Sequence, residues 1–232
     1  MLTVCRYRFN GLSWTHKNLS YVNERVVGTQ YTAWHYVASV QASLPAPMRA
    51  LVWWGSDDHT WSPKIPLYGG ATSVDRTYDD GNCSARLECR HGLGLPGDMM
   101  HFSWESAFWV NSAVANLLYG MKDRAAPVVR QWQQDFDSYA TAEMRQVEAE
   151  AKRLLSTGEE TAGLKMLTEL AMKTSKAATA KWVKLWQHLM VSFADGMTAT
   201  VDPDNKVCGC KKTGTVFSDA WGQKVVVDTG DH

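Results

Sequence analysis

Hydrophobic spacing changes near residue 100, and the two sides of that change must fold differently. Up to about residue 70 the chain is rich in Val, Tyr, Trp and Thr and lacks helix-length periodicity. This part reads as sheet, with buried strands expected at Tyr31 to Val40 and Ala50 to Gly55. From Trp61 to Pro96, glycines and prolines recur throughout, and the spacing predicts a long irregular segment of the kind that often borders a functional cleft. Beyond Trp104, Phe108, Val110, Val114, Leu117, Leu118 and Met121 recur every three or four residues, the period of a helix with a buried face. A second helix is expected with Pro127 in its first turn, an apolar face running from Val128 through Trp132 and Phe136 to Leu154, and Gly158 as its stop. A third runs from about Glu159 to Met190, with Asp195-Gly196 beyond it and a weakly apolar middle, Lys173 to Ala180, where a break or bend is expected. The tail from Thr198, with Val225 to Val227 and the turn residues Asp202 to Asn205, reads as a short hairpin. The fold class is therefore α+β, a single domain over 1–232. Strands and loops occupy 1–98, a helical layer 99–196, and a hairpin or tail 197–232.

The chain has 232 residues, 45% hydrophobic and 21% charged, enough apolar content for a substantial core. Its 24 Lys and Arg balance 24 Asp and Glu, with no dense basic stripe. That removes the electrostatic footprint needed for nucleic acid or an anionic membrane surface. The longest charge-free run, Val26 to Met48, holds Gln30, Thr32, His35, Gln41 and two prolines, so no membrane span is expected. Arg6 and Arg8 follow only a short apolar start, which is not the pattern of an export signal. The five cysteines, Cys5, Cys83, Cys89, Cys208 and Cys210, leave at least one outside any intrachain pairing, and the compartment stays open. Eleven tryptophans point to a thick core or an aromatic-lined cleft.

Several strings occur in a telling order. Arg25-Val26-Val27 and Thr32 come first, then Leu44-Pro45, Leu51-Val52-Trp53-Trp54-Gly55 and Pro66-Leu67-Tyr68-Gly69-Gly70. Ser106-Ala107-Phe108-Trp109-Val110-Asn111 follows, with Val114-Ala115-Asn116 and Leu118-Tyr119 after it, and Trp182 to Gly196 closes the series. In this order the chain resembles the C-terminal half of the dipeptidase A and secernin family of cysteine N-terminal-nucleophile hydrolases, over roughly residues 25 to 196. The resemblance implies a four-layer αββα sandwich, present here only in part, and amide hydrolysis of small peptides without a cofactor. In that chemistry the thiol and α-amine of one terminal Cys act as nucleophile and base. This chain begins Met1-Leu2-Thr3-Val4 and shows neither the family's Cys-Thr opening nor its Arg-Asn-Glu/Ser-Asp motif, so no catalytic residue is assigned. Cys5, exposed as a nucleophile by removal of four residues, is the competing reading; a small buried or free thiol is the plainer one.

Four residues are candidates for substrate binding. Arg25 could hold a substrate carboxylate bidentately, against a structural or surface arginine. His35, between Trp34 and Tyr36, could act as acid or base, against a satisfied strand histidine. Trp54 and Tyr68, with Trp53 beside them, could line a peptide pocket, against plain core filling. Asn111 and Asn116, five positions apart, cannot share one helix face squarely and read as structural. Cys83, Cys89, His91, Cys208 and Cys210 lack the spacing of a zinc motif, so no metal is assigned. Asn18-Leu19-Ser20 and Asn82-Cys83-Ser84 fit the glycosylation pattern, which matters only for an exported chain. The chain thus reads as the C-terminal portion of a dipeptidase-like cysteine hydrolase, inactive alone, acting on small peptides if complemented by an N-terminal half. Self-association is the other expected partnership. The alternative is a non-catalytic, secernin-like interaction protein.

Overall fold

The computed structural model describes residues 13–22, 28, 32–78, 102–199, 212–213 and 219–229. The fold is mixed: antiparallel strands come first and long helices follow. Arg25, Cys5, Cys83, Cys89, His91, Cys208, Cys210 and Asn82 lie outside the described residues. The chain divides into two compact units, residues 1–186 and 187–232.

In the first unit, strands β1 (Ser13–His16) and β2 (Leu19–Val22) form a hairpin. Its two turn residues, Lys17 and Asn18, both take positive φ (48° and 62°). That is the backbone twist that matches two-residue hairpins. The main sheet has the order β3 (Trp34–Val40), β4 (Ala50–Ser56) and β5 (Ile65–Tyr68), all antiparallel, with Tyr36 opposite Trp54 and Leu51 opposite Tyr68. Bonds at the two ends of the β3–β4 pair fix its phase: Asp57 N–H donates to Ala33 O at 2.7 Å and Gln41 N–H to Arg49 O at 2.8 Å. Odd-numbered residues of β3 therefore turn their backbone groups toward β4, and even-numbered ones turn them away.

Two expectations for this region need correction. The segment from Trp61 to Pro96 is not irregular throughout, because Ile65–Tyr68 forms β5. Its proline is tolerated because Gly69 N–H donates to Ala50 O (2.9 Å), which places Pro66 in the alternate, outward-facing phase where no N–H is needed. The strand around residues 34–40 is not buried either: Trp34 is 58%, Tyr36 56% and Val40 74% exposed.

Helix α1 (Ala107–Gly120) passes through Met121 into α2 (Lys122–Ser156). Because α2 starts at Lys122, Pro127 lies inside the helix rather than in its first turn. The link to α3 (Glu160–Phe193) is tight. Gly158 has φ +87°, Thr157 N–H donates to Arg153 O, and Glu159 N–H donates to Leu154 O at 2.9 Å. This left-handed cap satisfies the last carbonyls of α2 and reverses the chain. The helices then run antiparallel, with Glu143 bonded to Lys173 at 2.7 Å and Asp135 near Lys181 at 3.9 Å.

The break expected over Lys173 to Ala180 does not occur. Thr174 and Ser175 donate to the carbonyls of Leu170 and Ala171. The same polar stripe receives the chain after β5: Thr72 bonds Thr168, Asp75 N–H donates to Ser175 Oγ at 2.8 Å, and Thr77 pairs with Thr179. The small polar residues are thus a docking line that the helix runs through unbroken.

One end of the sheet packs on the helices through Leu44, Met48, Tyr68, Ala151, Leu167 and Leu170, with Leu51, Met144, Val147, Leu155 and Met166 against them. At the other end Trp182 is fully buried, in edge contact with Phe136 (ring centroids 6.1 Å apart), and its indole N–H donates to Trp61 O at 3.1 Å.

The second unit holds the end of α3, a short pair β6 (Thr198–Ala199) with β7 (Lys212–Thr213), and helix α4 (Asp219–Thr229). The tail is therefore only partly the expected hairpin, since Val225 to Val227 are helical. Branched side chains lower helix propensity only slightly, and Asp219 lies favourably in the first turn. Among the described residues no helix is long and apolar enough to cross a membrane.

Trp182→Ala is expected to destabilise the protein by about 3–5 kcal/mol, the range for emptying a large aromatic site. Trp182→Phe should cost less, combining a smaller cavity with the lost bond to Trp61. Chemical denaturation of the two variants beside the parent checks both.

Candidate functional site

The polar concentration of the fold lies in the turn between β4 and β5, Ser56 to Lys64. A buried irregular segment must find partners for every main-chain polar group, since water is not there to supply them. Here seven consecutive carbonyls are all accepted for. Asn111 Nδ2 donates to Ser56 O (3.2 Å), His35 Nδ1 bonds Asp57 O (3.3 Å), and Ser62 N–H donates to Asp58 O (3.1 Å). Lys64 Nζ donates to His59 O (3.1 Å), Gln133 Nε2 to Thr60 O (2.8 Å) and Ser62 O (3.3 Å), and Trp182 Nε1 to Trp61 O. Strand β3 and all three long helices each contribute a donor.

Two aspartates shape the turn from within. Asp57 holds φ 63°, a left-handed conformation that costs a non-glycine residue about 1–2 kcal/mol. Asp58 is 1% exposed; its Oδ1 accepts from the amides of Thr60 (2.8 Å) and Trp61 (3.2 Å), and its Oδ2 accepts from the Tyr119 hydroxyl. This side-chain-to-backbone turn is what Asp does well where the backbone reverses. Asn111 also donates to Ser56 Oγ at 2.9 Å. Asn116, five residues on, only bonds back to Ser112 on its own helix.

Burial sets the electrostatics. It pushes the Asp57 carboxyl up to about 7, with the charge of Asp58 adding and a bond from the Asp58 amide opposing. It pulls the His35 imidazole down to about 3, helped by the nearby Lys64 charge. Burial also lowers the Lys64 ammonium, partly offset by Asp137 and Asp58, and raises the Asp137 carboxyl, partly offset by Lys64. The Tyr119 hydroxyl is raised by burial and by its bond to Asp58. His35 Nε2 is buried with no hydrogen-bond partner, so a second proton on that ring would have no acceptor. The ring fits because residue 55 is glycine: a Cβ there would sit 2.6 Å from His35 Cε1 and Nε2. The His59 ring stands edge-on to it at 6.3 Å, over Gly28.

The structure does not gather the sequence candidates in one place. His35 lies opposite Gly55 at the turn end of the sheet; Tyr68 lies opposite Leu51 at the other end. Tyr68 belongs to the core cluster, and burial and Glu148 push its hydroxyl up to about 12. Trp54 shares its sheet face with Tyr36 and meets Tyr78 edge-on at 5.4 Å. Asp57, Asp58, Lys64, Tyr119 and Gln133 were not among the candidates. The run Ser56-Asp57-Asp58-His59-Thr60 directly after an apolar strand was the available local signal. Among the described residues no group of three or more His, Cys, Asp or Glu could hold a metal ion. With Asp57 7% and Asp58 1% exposed, the chemistry this arrangement supplies is hydrogen bonding that fixes the sheet to the helices. No protein-family model matches the chain, and neither does any curated protein compared with it.

The opposed shifts of His35 and Asp57 make a testable pair. The His35 contribution is full above 6.5, the ordinary imidazole value, and is lost as pH falls toward about 3. The Asp57 contribution is full below 3.8, the ordinary carboxyl value, and is lost as pH rises through about 7. Between these limits folding releases one proton at His35 and takes one up at Asp57, so the two slopes cancel. Relative to the parent, Asp57→Asn should make the pH slope of stability more positive by about one proton between pH 4 and 6.5. His35→Gln should make it more negative by as much. Urea unfolding across that range measures both.

Proposed function

We propose that this chain is the C-terminal part of a dipeptidase-type cysteine hydrolase of αββα architecture, supplying sheet strands and a helical layer. Its catalytic nucleophile would come from an N-terminal half. One observation carries the reading: the blocks in which the resemblance resides are joined in space as well as in order. The Leu51 to Gly55 block is β4, the Pro66 to Tyr68 block lies in β5 beside it, and the Ala107 to Asn111 block opens α1. Asn111 of α1 bonds Ser56 at the end of β4, and Tyr119 of the same helix bonds Asp58. The exposed Trp34, Tyr36 and Val40 on one face of the sheet also fit a layer that a second sheet would cover.

In the complete enzyme, a terminal Cys thiolate would attack the peptide carbonyl while its own amine takes the proton. The amine product would leave, and water would then hydrolyse the thioester. The role of this part is scaffolding: it holds strands in register and presents an aromatic sheet face beside the cleft. The burial of Asp57 and Asp58 equally suits a non-catalytic secernin-like role on the same scaffold.

The decisive assay uses a panel of dipeptides. The chain alone should give no turnover, and addition of a polypeptide carrying the Cys-first front half of a family member should produce it. Turnover by the chain alone that survives Cys5→Ala would overturn the proposal. No turnover after verified complex formation would favour the non-catalytic role.

A further inference from the structure

Among the described residues strand β3 ends the sheet with an unpaired edge. Its even-numbered residues, Trp34, Tyr36, Ala38 and Val40, turn their amides and carbonyls away from β4, as the bonds of Ala33 and Gln41 require. Among the described residues β4 is the only strand paired with β3. Edges of this kind are usually blunted by a charge, a proline or a bulge. The segment Trp34–Val40 has none of the first two, and its ladder to β4 runs without interruption from Trp34 to Val40.

We propose that two copies of this chain pair through β3, antiparallel and centred on Val37, joining their sheets into one. The argument is self-complementarity. A two-fold axis at Val37 sets Trp34 opposite Val40 of the second copy and Tyr36 opposite its Ala38, a large side chain against a small one in each case. All four are exposed in the single chain. On the other face His35 meets Ser39 and Val37 meets itself. Each pair keeps its members on one face, as antiparallel pairing demands. Like charges close to the two-fold would face each other and repel; the strand carries none. Every outward N–H then finds a carbonyl, and the exposed rings gain a neighbour. The pairing needs no hydrolase activity and stands apart from the functional reading above.

The test uses the full chain. The parent should sediment as a dimer at micromolar concentration, with amides of Trp34, Tyr36, Ala38 and Val40 gaining exchange protection as concentration rises. Ala38→Pro removes only an outward donor and leaves the β4 ladder whole, so it should weaken dimerisation by about ten-fold or more while melting like the parent at concentrations low enough for both to be monomeric. Val37 would face its copy in a non-hydrogen-bonded pair, with Cα atoms about 4.5 Å apart, within reach of a disulfide. Mild oxidation should therefore cross-link Val37→Cys beyond the parent level, and Ala38→Cys should not cross-link. A parent that stays monomeric, an Ala38→Pro variant that dimerises undiminished, or equal cross-linking of the two cysteine variants would overturn the proposal. So would a monomer whose even-numbered amides become protected only when a front-half polypeptide is added, because that assigns the edge to the other partner.

Discussion

The fold depends on satisfying one buried turn. Seven successive carbonyls from Ser56 to Ser62 lie in a largely buried stretch, and each has a donor held at hydrogen-bond distance. An unmade bond to a buried carbonyl costs about 1–3 kcal/mol, a large share of a domain's net stability. The donors arrive from His35 on β3, Asn111 on α1, Gln133 on α2 and Trp182 on α3, so the helices cannot slide on the sheet without orphaning part of the turn. Apolar packing supplies most of the driving force, but this network selects which packing is adopted.

The charges near the turn follow from the same requirement. A carboxyl and an imidazole brought into a dry setting each shift toward the neutral form, so Asp57 rises and His35 falls. The left-handed backbone at Asp57 is the geometric cost of aiming its carbonyl at His35 and its amide at Ala33. Gly55 and Gly28 leave room for the two rings that neighbour it.

Elements whose evidence is local were legible in the sequence. The three- and four-residue spacing of Val110, Val114 and Leu118 marks α1, and Gly158 marks the α2–α3 reversal where the structure has φ +87°. Elements decided by distant partners were not. β5 looks like loop because Pro66 breaks its pattern, and only its place beside β4 makes the proline harmless. The middle of α3 looks weak because its Thr and Ser serve a segment about a hundred residues earlier in the chain. At the site, His35 stood out by its aromatic neighbours. The turn whose Asp57 carbonyl it meets is held by distant residues such as Trp182, whose bond to Trp61 spans 121 positions. No local window contains that information.

The two borders of the main sheet are unlike. On β5 the outward position at residue 66 is a proline, which offers no hydrogen to an incoming strand. Growth by addition of further chains is therefore disfavoured on that side, whatever joins the opposite one. A sheet so built favours a closed pair over a growing ribbon, which bears on fibril formation for a surface with several exposed aromatic rings.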